Sequence, residues 1–351
     1  MTIETIITIV ATFLATAGLI WIFFPALTAG SQDRALEWDE IKLSENNTDT
    51  PTALLSLVVP AYNEEVRIPI MIQAAHDYLQ STAGSKLLQR LATCAKVKVA
   101  DGPKDDTNNN NNNNNKSNRQ VEWVFINDGS WDGTCRVVRL AHEQLEASSH
   151  KKEQPQHTWK LLSLKENSGK GAAVKTGMLQ ASGHYRLMVD ADGATEFGTG
   201  LEHLVTRLEK SLEEHPTSPV AVFGSRAHLQ SAAKRSFVRT LLMHAFHFFV
   251  SILVSTDIQD TQCGFKLFTQ DAAESSFNKL HLRRWAFDTE LLVRLRLQHI
   301  LVEEVGVPWQ EIDGSKLATS KFALACASLS MLRDMICVRA CYSLGIWSVQ
   351  R

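Results

Sequence analysis

The chain has almost no net charge and no pattern of metal-binding cysteines. Its 36 Lys and Arg residues nearly balance 38 Asp and Glu, giving a formal net charge of -2 over 351 residues. This balance lacks the basic surplus typical of nucleic-acid-binding proteins, so nucleic acid is not expected as a partner. None of the six cysteines forms a Cys-x-x-Cys pair or has histidines at zinc-finger spacing. We expect reduced thiols in a cytosol-facing domain.

The chain also lacks a Walker A loop, although it contains a similar segment. Residues 167–171 (NSGKG) offer backbone N–H groups and one cation before a predicted helix, which is a suitable anion site. A Walker A loop needs a further glycine where Leu164 stands, and Ser or Thr where Gly171 stands. A nucleoside triphosphatase of that class is therefore not indicated. A simple strand-to-helix turn is the alternative interpretation.

One long hydrophobic run is present, and it lies at the N-terminus. Residues 6–27 carry no charge and have about the length that crosses ~30 Å of hydrocarbon. A cleaved signal peptide would have basic residues before the run, whereas the first charge is Glu4, and a buried helix is the other alternative. We expect a membrane anchor over residues 1–30, whose orientation the sparse flanking charges do not fix.

After a polar linker, residues 31–52, short apolar runs alternate with helical patterns. Such alternation predicts an α/β fold in which helices cover both faces of a mostly parallel sheet. Strands are predicted at 54–60, 121–126, 161–164, 185–189, 220–223, 265–268 and 301–309. Helices are predicted at 66–79, 132–145, 171–181, 201–212, 236–254, 285–297 and 322–347.

The domain is predicted over residues 53–318 and contains one low-complexity insertion. Residues 101–118 hold a run of asparagines without the apolar residues that offset ordering entropy, so they are expected to be disordered. Residues 319–351 predict an apolar helix that is too charged to span a bilayer. It suits a membrane interface, or alternatively the core of the domain.

Asp190 and Asp192 directly follow a predicted buried strand. Two carboxylates at this spacing can hold Mg²⁺ or Mn²⁺ and leave coordination positions for a diphosphate. The alternative is a pair of loop aspartates that accept bonds from backbone amides. Asp128 and Glu64 follow two other predicted strands. Because ligands of parallel sheets bind beyond the carboxyl ends of the strands, these acidic residues are expected in one cleft.

These motifs, in this order, resemble the family 2 glycosyltransferases with the GT-A fold, and within them the members that transfer glucose to dolichyl phosphate. The resemblance covers residues 54–317, although the asparagine-rich insertion departs from the family. The motifs that carry it are 59–65 (VPAYNEE), 126–130 (INDGS), 167–171 (NSGKG), 189–195 (VDADGAT), 224–226 (GSR), 260–266 (DTQCGFK) and 284–288 (RWAFD).

The resemblance implies a role for individual residues. The donor site would contain Pro60, Tyr62, Glu64, Asp128, Lys170, Asp190, Ala191 and Asp192. The catalytic residues would be Asp190, Asp192, Arg226 and Asp260, with the metal on Asp190 and Asp192. Arg235, Arg239 and Lys266 would bind the acceptor, although surface positions are an alternative for these three. Asp288 or Asp260 would orient the acceptor or the glucose hydroxyls.

The resemblance also implies the reaction and its location. Glucose would pass with inversion from UDP-glucose to dolichyl phosphate, giving dolichyl β-D-glucosyl phosphate for protein N-glycosylation. The chain would cross the endoplasmic reticulum membrane once, with its catalytic domain on the cytosolic side.

Three other functions stay open. One is a mannosyltransferase, or another polyprenyl-phosphate glycosyltransferase, with GDP-mannose as the mannosyl donor. The second is a processive synthase, although His281 stands where the Gln-x-x-Arg-Trp motif of such enzymes has Gln. The third is a non-catalytic sensor of nucleotide sugars or a membrane scaffold.

Overall fold

The computed structural model describes residues 3–32, 36–41, 43, 53–100, 120–148, 156–227, 257–310, 312 and 321–349. Within them, eight strands form one sheet in the order β1-β4-β3-β2-β5-β7-β6-β8. The strands are β1 Trp38–Ile41, β2 Leu55–Ala61, β3 Gln120–Asn127, β4 Gln156–Leu164, β5 Tyr185–Val189, β6 Val220–Ser225, β7 Phe265–Thr269 and β8 Leu301–Gly306. The helices are α1 Ile3–Gln32, α2 Ile68–Gln80, α3 Thr82–Ala100, α4 Thr134–Ser148, α5 Lys170–Gln180, α6 Phe197–Glu214, α7 Gln270–Phe277, α8 Phe287–Leu297 and α9 Lys321–Ser343.

Most neighbouring strands run parallel, as predicted. β2 lies between β3 and β5 and is parallel to both, β3 is parallel to β4, and β6 is parallel to β8. β7 is antiparallel to its neighbours β5 and β6, and β1 is antiparallel to β4. Consequently β2, β3, β4, β5 and β6 all end at the same edge of the sheet.

The two faces of the sheet bury separate apolar clusters. Side chains alternate between the faces along a strand, so Leu57 and Val59 join one cluster while Val58 joins the other. α2, α3, α4 and α6 cover the first cluster, and α5, α7, α8 and α9 cover the second. All six cysteines lie within the described residues and are free thiols.

Three elements were not predicted from the sequence. β1 lies inside the segment interpreted as a linker, because Asp39 and Glu40 give this short edge strand a polar composition. α3 is polar except for the buried face around Leu88, and the eight-residue α7 buries small residues such as Ala272. The helix predicted at 236–254 and the insertion at 101–118 lie outside the described residues.

The first and last helices pack against each other. Phe23 and Ala26 of α1 lie against the cluster that contains Cys337 of α9, and the guanidinium of Arg333 lies 5.7 Å from the Trp21 ring centroid. Within the described part of the chain, no helix combines the length and apolarity that crossing a membrane requires. The anchor over residues 1–30 therefore stays a prediction.

The environment of the partly buried His157 predicts how the stability of the fold responds to acid. Nδ1 of His157 accepts a hydrogen bond from Trp123 Nε1 at 3.0 Å, so this nitrogen carries no proton. Burial, with a smaller effect from His76, lowers the pKa of His157 from 6.5 to about 4. Between these two pH values the unfolded chain binds a proton that the folded chain does not, so stability falls as pH drops below 6.5, by roughly 3 kcal/mol at pH 4.

We expect His157→Gln, whose amide oxygen can still accept from Trp123, to flatten the acid dependence of stability. The measurement compares Tm at pH 7.5 and pH 5 for the variant and the wild type. The wild type should lose more stability than the variant over this interval. An identical loss in both proteins would show that His157 does not determine the response.

Candidate active site

The polar clusters predicted from the sequence lie at the common edge of the sheet. Each follows a parallel strand: residues 62–64 follow β2, residue 128 follows β3, residues 165–169 follow β4, residues 190–192 follow β5 and residue 226 follows β6. Pro60 lies in β2, near the end of that strand, and Ala191 is buried. The fold therefore brings most of the predicted donor-site residues to one region.

Lys170 and Asp190 form the central ion pair of this region. Lys170 Nζ lies 2.7 Å from Asp190 Oδ1 and 2.9 Å from Oδ2, and 5.6 Å from the ring centroid of Trp285. Burial opposes protonation of Lys170, but the carboxylates of Asp190, Asp288 and Asp192 outweigh it, so the pKa of Lys170 is raised. The lysine is a fixed cation beside the acidic pair.

The surroundings of Asp192 disfavour the charged form of its carboxyl group. Its Oδ1 accepts a hydrogen bond from Ala194 N at 2.9 Å, which fixes the side chain after the strand end. Burial and the neighbouring charge of Asp190 raise the pKa of Asp192, although Arg67 and Lys170 partly offset this. An added cation would relieve both effects.

The donor set fits a metal that also binds the substrate. Within the described residues, no three His, Cys, Asp or Glu side chains form a group able to hold a metal ion by themselves. Mg²⁺ commonly binds through one or two carboxylates together with substrate phosphates, and two carboxylates are what residues 190–192 supply.

Position 264, just before β7, has no room for a side chain because the Asp190 carboxylate lies against it. Asp190 N donates to Gly264 O at 3.1 Å, and a Cβ on Gly264 would lie 1.9 Å from Asp190 Oδ2. The Asp190 side chain therefore occupies the space of a side chain at position 264. Because β7 is antiparallel to β5, its first residues lie beside the end of β5.

Asp128 supports the loop that carries Lys170. One carboxylate oxygen accepts from Ser168 N at 2.7 Å and the other from Gly169 N at 2.9 Å. Burial raises the pKa of Asp128, and these two bonds partly offset the effect. The contacts fix the loop between β4 and α5, whereas the sequence resemblance implied a contact with the nucleoside. That contact stays a prediction.

Glu64 is paired within its own loop. Its oxygens lie 2.6 Å from Arg67 Nε and 2.5 Å from Arg67 Nη2. The loop is also joined to the end of β3, because Asn63 N donates to Ser130 Oγ at 2.9 Å. Tyr62 is half-buried beside them. The loops after β2 and β3 are therefore held together at the common edge of the sheet.

Arg226 and Asp260 form a second ion pair at the end of β6. Arg226 Nε and Nη2 donate to the two Asp260 oxygens at 2.7 and 2.8 Å. Burial alone would raise the pKa of Asp260, but Arg226 outweighs burial and lowers it. Glu304 accepts from Asp260 N at 2.8 Å, and the Arg226 guanidinium lies 5.5 Å from the Trp309 ring centroid.

Lys266 lies inside the protein. Its side chain is fully buried in β7, and its ammonium lies 2.6 Å from Asp288 Oδ1 and 2.7 Å from Cys263 O. This burial does not favour the contact with acceptor that was predicted for Lys266. Arg235 and Arg239, the other two predicted acceptor residues, lie outside the described residues.

Sequence reasoning missed several residues of this region. Glu304 lies in β8 and Trp309 follows that strand, and neither belongs to a motif that the sequence analysis identified. Gly264 and Trp285 lie inside motifs that were identified, but neither was assigned a role. A signal for Gly264 was available, because it directly precedes a predicted strand in the segment DTQCGFK.

Known proteins resemble this chain over most of its length. The model of glycosyl transferase family 2 matches residues 109–277. The dolichyl-phosphate beta-glucosyltransferase of Dictyostelium discoideum is 38% identical over 313 residues, which cover 88% of this chain and 80% of that protein. Proteins of the same name from Homo sapiens and Saccharomyces cerevisiae are 35% and 33% identical, covering 96% and 85% of this chain and 94% and 78% of their own lengths.

Proposed function

The chain belongs to the dolichyl-phosphate β-glucosyltransferases of glycosyltransferase family 2, and we propose that its site transfers glucose from UDP-glucose to dolichyl phosphate. The product would be dolichyl β-D-glucosyl phosphate for protein N-glycosylation. One observation supports this most strongly: the acidic pair and Lys170 lie together at the carboxyl end of β5. The diphosphate of a sugar nucleotide bound there would lie beside carboxylates that can hold a metal ion and beside the ammonium group of Lys170.

The donor half of the reaction is the departure of UDP. Asp190 and Asp192 would hold Mg²⁺ or Mn²⁺, which supplies positive charge to the leaving diphosphate. Lys170 adds a cation fixed by the Asp190 carboxylate, so less reorganisation is needed as charge develops on the leaving oxygen. Pro60, Tyr62, Glu64 and Asp128 would line the nucleoside side of the cleft.

The acceptor half is attack by the phosphate of dolichyl phosphate on the anomeric carbon, opposite the departing UDP. The new C–O bond forms as the bond to the UDP oxygen breaks, and this single displacement inverts the α-linked donor. A phosphate monoester is largely ionised near pH 7 because its second pKa is ~6, so little proton removal is needed. Positioning of two polyanions is the main task.

Cations near the ends of β5 and β6 suit that task. Arg226 is one third exposed although Asp260 fixes its guanidinium, so one side of it can face an anion. Arg235 and Arg239, which lie outside the described residues, would be further cations for the acceptor phosphate. Lys266 and Asp288 are buried and paired with each other, so they would support this region without touching the acceptor.

We also propose that the chain is held at the endoplasmic reticulum membrane by α1 in a single pass, with α9 beside it and the catalytic domain on the cytosolic side. The support is a group of large apolar side chains on α1 that are 44–68% exposed: Leu19, Ile20, Trp21, Phe24 and Leu27. Leu329 of α9 is also exposed. A lipid bilayer would cover such surfaces, and dolichyl phosphate is itself a membrane lipid.

If α1 contacts the membrane, its removal should impair the reaction with the lipid substrate but not the binding of the donor. We expect deletion of residues 1–28 to slow transfer to dolichyl phosphate in liposomes at least ~10-fold, because the lost apolar contact removes the enzyme from its substrate. Binding of UDP-glucose should change less than about twofold, since the donor cleft is formed by other elements. Transfer rates and donor affinity would be measured on the same preparations.

The deletion also removes packing by Phe23, so a second variant separates the two effects. Leu19→Gln combined with Phe24→Gln changes only exposed side chains, and Leu140→Gln on α4 is the matched control. The pair should reproduce the loss of transfer and the control should not. Equal loss of transfer and donor binding in the pair would assign α1 a structural role.

The identity of the donor is tested by competition. The full chain, with Mn²⁺ present, would be incubated with labelled UDP-glucose and increasing UDP or GDP. We expect UDP to displace the label and GDP to fail at the same concentration. No binding of labelled UDP-glucose, or displacement of the label by GDP as readily as by UDP, would contradict a site selective for a UDP-sugar.

A further inference from the structure

We propose that Glu290 is a positioning residue of the donor site, which acts on Lys170 through residues 281–286, here called the support segment. The inference rests on the proposed function, because it assigns Lys170 to the donor diphosphate. Glu290 lies in the first turn of α8 and does not itself reach the acidic pair. Its effect would pass through the backbone of the support segment.

Glu290 has an unusual number of partners for one carboxylate. It is fully buried, and it accepts hydrogen bonds from His281 N at 3.0 Å and from Leu282 N at 2.7 Å. His281 Nδ1 lies 2.7 Å from Oε1, and Tyr342 OH donates to the same oxygen at 2.9 Å. Two of these donors are the backbone amides of His281 and Leu282, so Glu290 fixes the position of the first two residues of the support segment.

The other side of the support segment lies against the loop that carries Lys170. Ala172 N donates to Arg283 O at 2.9 Å, in the first turn of α5. A Cβ on Gly169 would lie 2.6 Å from the same Arg283 oxygen, so the two backbones are in direct contact. Further along the segment, the Trp285 ring lies beside Lys170. A shift of the segment would therefore move or release the lysine.

The C-terminal part of the chain holds the support segment from the opposite side. The Trp347 ring stacks on His281 with centroids 4.1 Å apart and planes 2° apart. The Tyr342 hydroxyl of α9 donates to Glu290, and Arg294 Nη1 donates to the Tyr342 oxygen at 3.1 Å. Glu290 thus joins three parts of the protein: the C-terminal helix, the support segment and α8.

Packing alone does not explain a carboxylate at this position. A buried charge loses its hydration, and apolar side chains of similar size often give equal or greater stability. Burial would raise the pKa of Glu290, but the bonds from His281 and the two amides outweigh burial and lower it, so the group is an anion. An anion that accepts several bonds at once fixes backbone positions that a hydrocarbon side chain leaves free.

The test is a double-mutant cycle on donor affinity. Glu290→Gln keeps the size of the side chain but lacks the charge and part of the acceptor capacity. In the full chain with Mn²⁺, we expect it to weaken UDP-glucose binding by about tenfold, because two or three charge-assisted bonds weaken. In a Lys170→Met background, the same change should alter binding by less than about twofold, because the residue through which it acts is absent.

Two further variants separate positioning from general stability. Glu274→Gln, on α7, removes a carboxylate that pairs with buried Arg186 at 2.6 Å but does not touch the support segment. It should lower Tm without changing UDP-glucose affinity. Tyr342→Phe removes one bond from Glu290 and should weaken donor binding by two- to threefold, again only when Lys170 is present.

Several results would overturn the inference. One is an equal loss of affinity with and without Lys170, since the effect of Glu290 on donor binding would then not pass through Lys170. Another is unchanged donor affinity in both Glu290→Gln and Tyr342→Phe. Failure of the wild type to bind UDP-glucose would instead count against the proposed function, so the two failures are distinguishable.

Discussion

Replacing Asp192 with Ala is expected to lower glucosyl transfer by about 1,000-fold or more while the protein still folds. Loss of this carboxylate removes half of the pair that would hold the metal, and charge stabilisation by a metal contributes several kcal/mol, each 1.36 kcal/mol being tenfold in rate. The fold should survive because the raised pKa of Asp192 indicates that its ionised form is disfavoured without a cation. Activity and the unfolding curve would be measured together.

Asp192→Asn separates the charge of this carboxylate from its hydrogen bond. Asn can still accept the hydrogen bond that Asp192 Oδ1 receives from Ala194 N at 2.9 Å, so only the charge is lost. We expect a loss close to that of Asp192→Ala, whereas Asp271→Asn, on the exposed side of α7, should keep activity. Full activity of Asp192→Asn, or of the wild type in excess chelator, would refute the metal assignment.

Gly264→Ala is expected to lower activity by about 100-fold, although it adds a single methyl group. The new Cβ would lie 1.9 Å from Asp190 Oδ2 and 2.1 Å from Asp190 Cγ, so the carboxylate must move away. That movement separates Asp190 from Lys170, and a displacement of about 1 Å at a reacting site can cost 100-fold in rate. Steady-state transfer and metal dependence would be measured.

The matched control is another glycine that has no space for a Cβ. At Gly177 the added atom would meet Ile126 Cδ1 at 2.3 Å in the core, away from the acidic pair. Gly177→Ala should lower Tm but retain activity at temperatures where it is folded. If Gly264→Ala also lost only stability, the position of the Asp190 carboxylate would not determine the rate.

The sequence predicted the part of the site that depends on strand ends. Apolar runs identify β2, β3 and β5, and β5 was predicted with the bounds observed, Tyr185–Val189. Polar residues directly after those runs, such as Asp190, then had to lie at one edge once the strands were parallel. The proximity of Lys170 to Asp190 follows from the same reasoning.

The rest depends on how elements pack, which periodicity does not specify. Lys266 stands between apolar residues of a strand and resembles a surface position, yet β7 lies inside the sheet and α8 supplies Asp288 to pair with it. Asp128 has its oxygens directed to the loop after β4, because β3 and β4 end side by side with Asn127 opposite Ser163. Such registers link residues far apart in sequence.

The most direct test of the central claim is transfer itself. The full chain would be incubated with labelled UDP-glucose in liposomes containing dolichyl phosphate and Mg²⁺ or Mn²⁺, and label would be followed into the organic phase. We predict labelled dolichyl glucosyl phosphate with the β configuration, and no labelled lipid with Asp192→Asn. Folded wild-type protein that binds UDP-glucose but gives no labelled lipid, or lipid labelled only from GDP-mannose, would contradict the account.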